Sequence, residues 1–242
     1  MTDRMIAVLA IGAFAGSALG GGVPHVGDIG VSFVDGRIVT SLVEEEEELR
    51  GGLGLPQRVF DSDLGTVEFG PFGNDEPGYT SNILPAGARI GFNVRENLKK
   101  WNGTGFDNVT GETLQLAQFL GTPGEVERVA GGATGFVPGF DIATADELGF
   151  IDEHLSHVLR GADTGRGFAA PSDGVYLLEM ELTTDVPGIA NSEPYWIVFN
   201  LNTDQTVQDA AIVYVETVLV PGPSALAALG LVGVGAMRRR RR

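Results

Sequence analysis

Gly30-Val-Ser-Phe-Val34 and Arg37-Ile-Val-Thr-Ser-Leu-Val43 are two runs rich in β-branched residues, joined by Asp35-Gly36. Asp-Gly is the pair that a two-residue type I′ hairpin requires, because both central residues take positive φ and glycine does so at no steric cost. Ile29 to Val43 is therefore read as an antiparallel hairpin, and the rest of the chain repeats the theme. Ala88-Arg-Ile-Gly-Phe-Asn-Val94, Glu112 to Phe119 and Glu125 to Val129 carry strand patterns between turn residues. Asp173-Gly174 opens a strand over Val175 to Thr183, and after Pro187-Gly188 comes another, Tyr195-Trp-Ile-Val-Phe-Asn200. These last two are nearly continuous apolar runs, which places them centrally with both faces covered.

Other segments are read less regularly. Ile151 to Arg160 fits a helix through Ile151, Leu155 and Val158, and a strand through Leu155, His157 and Leu159; its β surroundings favour the strand. Arg95 to Trp101 is read as one helical turn, with Leu98 and Trp101 on one face. Gly51 to Ser81 and Gly131 to Gly139 are read as loops, the first with a short strand at Thr66 to Phe69. Val207 to Leu219 has helical spacing of Ala211, Tyr214 or Val215, and Val218, with Thr206 as its N-cap. Regular strands with turns between them predict a mainly β, antiparallel β-sandwich or jelly-roll-like domain.

The chain has 242 residues, enough for one domain with a sizeable core plus appendages. There is no cysteine, which removes thiol nucleophiles, iron–sulfur clusters and zinc–thiolate sites together. With 32 acidic residues against 16 basic ones the net charge is -16, although five of the bases stand together at the end of the chain. A body this acidic repels nucleic acid, so nucleic-acid binding is excluded.

The two ends carry targeting patterns. Residues 1–22 read as a signal peptide: Arg4 opens it, Met5 to Phe14 is an apolar core, and Ala15-Gly-Ser-Ala18 offers small residues for cleavage. Residues 23–219 form the exported domain. Residues 220–242 form a tail with three parts in order: Val220-Pro221-Gly222-Pro223, the uncharged run Ala225 to Met237, and Arg238, Arg239, Arg240, Arg241 and Arg242. The prolines cut the tail from the fold before it. The apolar run suits a membrane as a short hydrophobic helix, although it falls short of the roughly 20 residues of a comfortable span. The arginines hold the end of the chain on the cytoplasmic side.

This tail resembles the PEP-CTERM sorting domain, with Val220, Pro221 and Pro223 on the motif and Gly222 where the family usually has Glu. The body resembles uncharacterised exported proteins of that kind in His25-Val-Gly-Asp-Ile-Gly30, Phe92-Asn-Val94, Trp101-Asn-Gly-Thr104, Gly111-Glu-Thr-Leu114 and Gly174-Val-Tyr-Leu-Leu178. The resemblance implies an all-β surface domain and processing by exosortase, a membrane protease. It further implies a precursor held in the inner membrane, a mature form at the cell surface or outside it, and association with exported polysaccharide or biofilm. A non-enzymatic surface or matrix protein is the expectation; a carbohydrate-binding module and a secreted hydrolase are the alternatives.

Candidate chemistry is sparse. The three histidines are His25, His154 and His157. On a helix His154 and His157 would share a face, with His25 and Asp28 completing an open metal site. On a strand the pair would not converge, and surface or hydrogen-bonded core histidines are the plainer reading. Asp61-x-Asp63 and Asn74-Asp75-Glu76 are acidic clusters in glycine-rich loops that suit Ca²⁺, or simply turns. Trp101, Tyr195 and Trp196 are the aromatics a sugar would stack on, although each sits in an apolar pattern more typical of core. No Gly-x-Ser-x-Gly elbow, phosphate loop or dinucleotide fingerprint occurs, and no catalytic residue is assigned.

Overall fold

The computed structural model describes residues 27–43, 54–131 and 135–220. The Asp35-Gly36 turn forms as its sequence requires: φ is 49° at Asp35 and 76° at Gly36, the double positive φ of type I′. It joins β1 (Asp28–Val34) to β2 (Arg37–Val43) in a register running from Asp28 opposite Val43 to Val34 opposite Arg37. β5 (Tyr79–Ser81) and β12 (Ile151–Glu153) extend this first sheet in the order β12-β5-β1-β2.

A second sheet contains β4 (Gly73–Asn74), β9 (Thr113–Gln118), β10 (Val126–Gly131) and β13 (Ser156–Arg160), ordered β10-β9-β13-β4. The third and largest sheet runs β11-β6-β14-β15-β3, from β3 (Val59–Asp63), β6 (Arg89–Val94), β11 (Val137–Thr144), β14 (Gly174–Thr184) and β15 (Tyr195–Leu201). A small hairpin of β7 (Lys99–Trp101) and β8 (Phe106–Asn108) pairs with β14 at Tyr176 and Leu177, ahead of the stretch of β14 that pairs with β6.

β14 and β15 lie in the middle of the large sheet, and every residue of β15 is buried. Their alternation feeds two cores. Tyr176, Leu178, Met180, Leu182, Tyr195, Ile197 and Phe199 enter the main core with residues of all three sheets. Val175, Leu177, Trp196 and Val198 face the other way and meet Ala211 and Val215. Those two belong to α1 (Gln205–Tyr214) and to the π-helical turn Val215–Leu219 that continues it. Full burial of a large apolar side chain stabilises by about 1.5–3 kcal/mol, so the helix is held by its inner face more than by its ends. Gln208 strengthens the docking, donating Nε2–H to Ser62 O at 3.2 Å and Val198 O at 3.0 Å.

Several expectations are corrected. The sheets are not purely antiparallel, because β1 pairs with β5 and β15 with β3 in parallel. Arg95 to Trp101 makes no helical turn; Lys99–Trp101 is a strand, drawn into extended form by pairing with Tyr176 and Leu177. Thr66 to Phe69 is a turn, and Gly51 to Ser81 carries three strands instead, β3, β4 and β5; the alternating polar residues of β3 are tolerated at a sheet edge. The reading of Gly131 to Gly139 as loop fails at its end, where β11 begins at Val137. Pro138, Gly139 and two register shifts against β6 are admissible because β11 is an edge strand. The helix starts after Asp204 rather than Thr206, without a side-chain cap, and Val218 is exposed rather than on the buried face. The strand reading of Ile151 to Arg160 holds, split into β12 and β13 around His154 and Leu155. The expected signal helix and the hydrophobic tail helix lie outside the described residues. Among the described residues no helix is long and apolar enough to cross a membrane.

Candidate functional site

Two chain crossings set the geometry of the candidate site. Between β4 and β5, and again between β12 and β13, the chain passes between the second sheet and the first. Glu76 lies on the first crossing and His154 on the second. Asp28 stands alongside as the opening residue of β1, since β1 is the parallel neighbour of β5. One ligand atom from each of Asp28, Glu76 and His154 lies within 4.8 Å of the others, and none of the three residues is exposed.

The backbone of Gly78 organises the group. Its N–H is donated to Asp28 Oδ1 at 2.9 Å and to Glu76 Oε2 at 3.2 Å, so one amide orients both carboxylates. A Cβ at Gly78 would sit 2.6–2.7 Å from Cε1, Nδ1 and Nε2 of His154. Only glycine lets the imidazole lie against the backbone there. The ring is held at both nitrogens: Nδ1 is 3.2 Å from Asp75 O and 3.8 Å from Glu76 Oε1, and Nε2 is 3.8 Å from Asp152 Oδ1.

Charge accumulates with one sign around this imidazole. Burial works against its protonated form, but the carboxylates of Asp28, Glu76 and Asp75 and the Asp75 carbonyl outweigh burial and raise the His154 pKa. Burial likewise pushes the Glu76 carboxyl up; Asp28 and Asp75 add to the rise, while His154 and the Gly78 amide oppose it. A compact set of one nitrogen and two oxygen donors with excess negative charge is suited to a cation.

The remaining predicted residues distribute as follows. His157 does not join the cluster. It lies in β13, fully buried, its ring 5.2 Å from that of Phe199. Burial and the nearby His154 lower its pKa to about 3; the Glu76 backbone pulls the other way, yet neither ring nitrogen reaches hydrogen-bond geometry. His25 lies outside the described residues. Asp61 and Asp63 sit on strand β3 rather than in a loop. Asn74 is occupied structurally, donating Nδ2–H to Ser62 Oγ at 3.1 Å and Asp63 O at 2.6 Å while its Oδ1 accepts from the Glu76 amide. The sequence grouped Glu76 with Asn74 and Asp75; the signal that it belongs with Asp28 and His154 is only the pairing of β1, β5 and β12.

Trp101, Tyr195 and Trp196 do not form an open sugar platform. Trp196 is 4% exposed beneath the Arg58 guanidinium, and Tyr195 is fully buried. Trp101 is half-buried against Phe106 and Tyr214, with ring centroids 5.0 and 5.3 Å away. Of the tail residues, Val220 ends the described chain in an extended conformation and packs against the second core. Pro221, Pro223 and Arg238 to Arg242 lie outside the described residues. Comparison with protein-family models, curated proteins and solved structures finds no match for this chain.

Proposed function

We propose that the chain is an exported, non-enzymatic protein of the cell surface or extracellular matrix, sorted through its PEP-CTERM-like tail. The observation that carries this reading is the ordered tail: Val220-Pro-Gly-Pro223, an uncharged apolar run, and Arg238 to Arg242. A signal-like start supplies the export that such a tail needs. In this reading an exosortase-type membrane protease is the processing partner. The precursor is tethered in the inner membrane, and the mature body, a β-sandwich of jelly-roll kind, associates with extracellular polysaccharide or biofilm. Two structural features support the division. Val220 still packs with the body, while Pro221 lacks the N–H needed to extend the helix before it. Of the aromatics a sugar would stack on, Tyr195 and Trp196 lie in the cores and Trp101 packs against Phe106 and Tyr214.

The test is the intact mass of the protein recovered from outside the cell and from the membrane fraction, alongside a variant lacking residues 220–242. Processing near Val220, with loss of surface retention in the truncated variant, is expected. A mature protein that keeps all the terminal arginines, or normal retention without the tail, overturns the proposal.

A further inference from the structure

We infer that Asp28, Glu76 and His154 bind one divalent transition-metal ion of the zinc class, which staples the first sheet to the second where the chain crosses between them.

The donor set selects the metal. Ca²⁺ takes six to eight oxygen ligands, whereas this cluster centres on an imidazole with only two carboxylates. Imidazole nitrogen together with carboxylate oxygen is the ligand chemistry of Zn²⁺, which accepts three protein ligands and leaves a fourth position for water. The charges suit the ion, since two ionised carboxylates and a neutral imidazole balance a divalent cation.

The spacing suits it too. With bonds of about 2.1 Å, tetrahedral zinc ligands lie roughly 3.4 Å apart. The ligand atoms here lie within 4.8 Å of one another, and Glu76 Oε1 is already 3.8 Å from His154 Nδ1. Side-chain rotations of about an ångström close the set without moving the backbone.

The surroundings are also those of a metal-ligating histidine. Such a residue donates its second ring N–H to a carboxylate or carbonyl. Nδ1 faces Glu76, and Nε2 faces Asp152 Oδ1 at 3.8 Å. When the ion takes Nδ1, the hydrogen bond to Asp75 O is given up. The proton then resides on Nε2, on the side of the ring that faces the Asp152 carboxylate. Gly78 completes the arrangement, because its missing Cβ is the space the ring occupies and its amide aims both carboxylates.

The consequence is a cross-link. Asp28 begins β1, Glu76 leads from β4 into β5, and His154 leads from β12 into β13. One ion therefore joins three segments far apart in sequence and ties two sheets at their seam. A chain without cysteine has no disulfide for that purpose.

The test uses the full chain, stripped with EDTA and titrated with Zn²⁺ by calorimetry, then with Co²⁺ by visible absorption. One high-affinity Zn²⁺ per chain is expected, with a rise in Tm and a Co²⁺ spectrum typical of low coordination number. His154→Asn and Glu76→Gln should each weaken binding by more than about 100-fold, and Asp152→Asn by about 10- to 100-fold. Circular dichroism of the metal-free variants identifies any that fail to fold, and Asp152→Asn, altering only a supporting contact, keeps the inference testable in that case. Weak binding at several equivalent sites, unchanged in all three variants, would mean that the acidic surface collects cations without a built site. That result overturns the inference, as does Ca²⁺ binding in preference to Zn²⁺.

Discussion

Replacing His157 by leucine should make the protein markedly more resistant to acid. His157 is fully buried and its pKa is lowered to about 3, from an ordinary value of 6.5. The unfolded chain therefore takes up a proton at this side chain over a range of pH in which the folded chain cannot. The sign follows directly: the folded state is undiminished above pH 6.5 and loses stability progressively as pH falls toward 3. Each pH unit in that window costs about 1.4 kcal/mol, so at about pH 4.5 the wild type has lost on the order of 3 kcal/mol through this residue alone. Leucine has similar volume and no proton to bind, and swaps of similar volume usually cost under about 1.5 kcal/mol by themselves. Urea denaturation of both proteins at about pH 7.5 and about pH 4.5, with EDTA present throughout, isolates the difference. The acid-induced loss should be about 2–3 kcal/mol smaller in His157→Leu than in the wild type. Equal losses in the two proteins would refute the reasoning, because they would show that His157 takes up its proton as readily folded as unfolded.

Two further substitutions test the packing. A Cβ at Gly139 would collide with the Phe92 carbonyl oxygen across the β11–β6 pair, so Gly139→Ala should cost about 3 kcal/mol or more in urea unfolding. A wild-type midpoint would mean that β11 does not pack against β6 in that register. Gln208→Ala removes both hydrogen bonds that tie α1 to β3 and β15. It should cost about 1–3 kcal/mol and speed amide exchange in Gln205–Tyr214 above that in β14; unchanged exchange would mean the apolar face alone holds the helix.

Legibility in the sequence followed the range of the interactions. The Asp35-Gly36 hairpin was readable because its turn is local, and β14 and β15 because burial on both faces shows as unbroken apolar runs. The helix was readable from its period, although its start was displaced because Asp204 makes no side-chain cap to mark it. Strands defined by distant partners were not readable. Lys99–Trp101 is polar and short, and only its pairing with β14 extends it. Val59–Asp63 shows no apolar run, since it needs only to pair with β15 on one side. The candidate site divides in the same way. By residue type Asp28 and His154 stand out, whereas Glu76 groups with its sequence neighbours and His157 pairs with His154 in spacing although β13 carries it into the buried interior. What assembles the three donors is a parallel strand pairing that no local pattern announces.

The parallel pairing of β3 with β15 bears on how the chain reaches its fold. Val59 registers with Trp196 and Asp63 with Asn200, so more than half of the chain is made between one strand and its partner. β14, at the centre of the same sheet, also emerges late. Closing such long loops must precede the contacts that reward it, which makes folding slow among domains of this size. β1 and β2 can close their hairpin as soon as they emerge, whereas β3 and β6 have no central strands to join until β14 and β15, in the last third of the chain, appear. Cooperative collapse of the main core is thereby deferred until the C-terminal strands have been made.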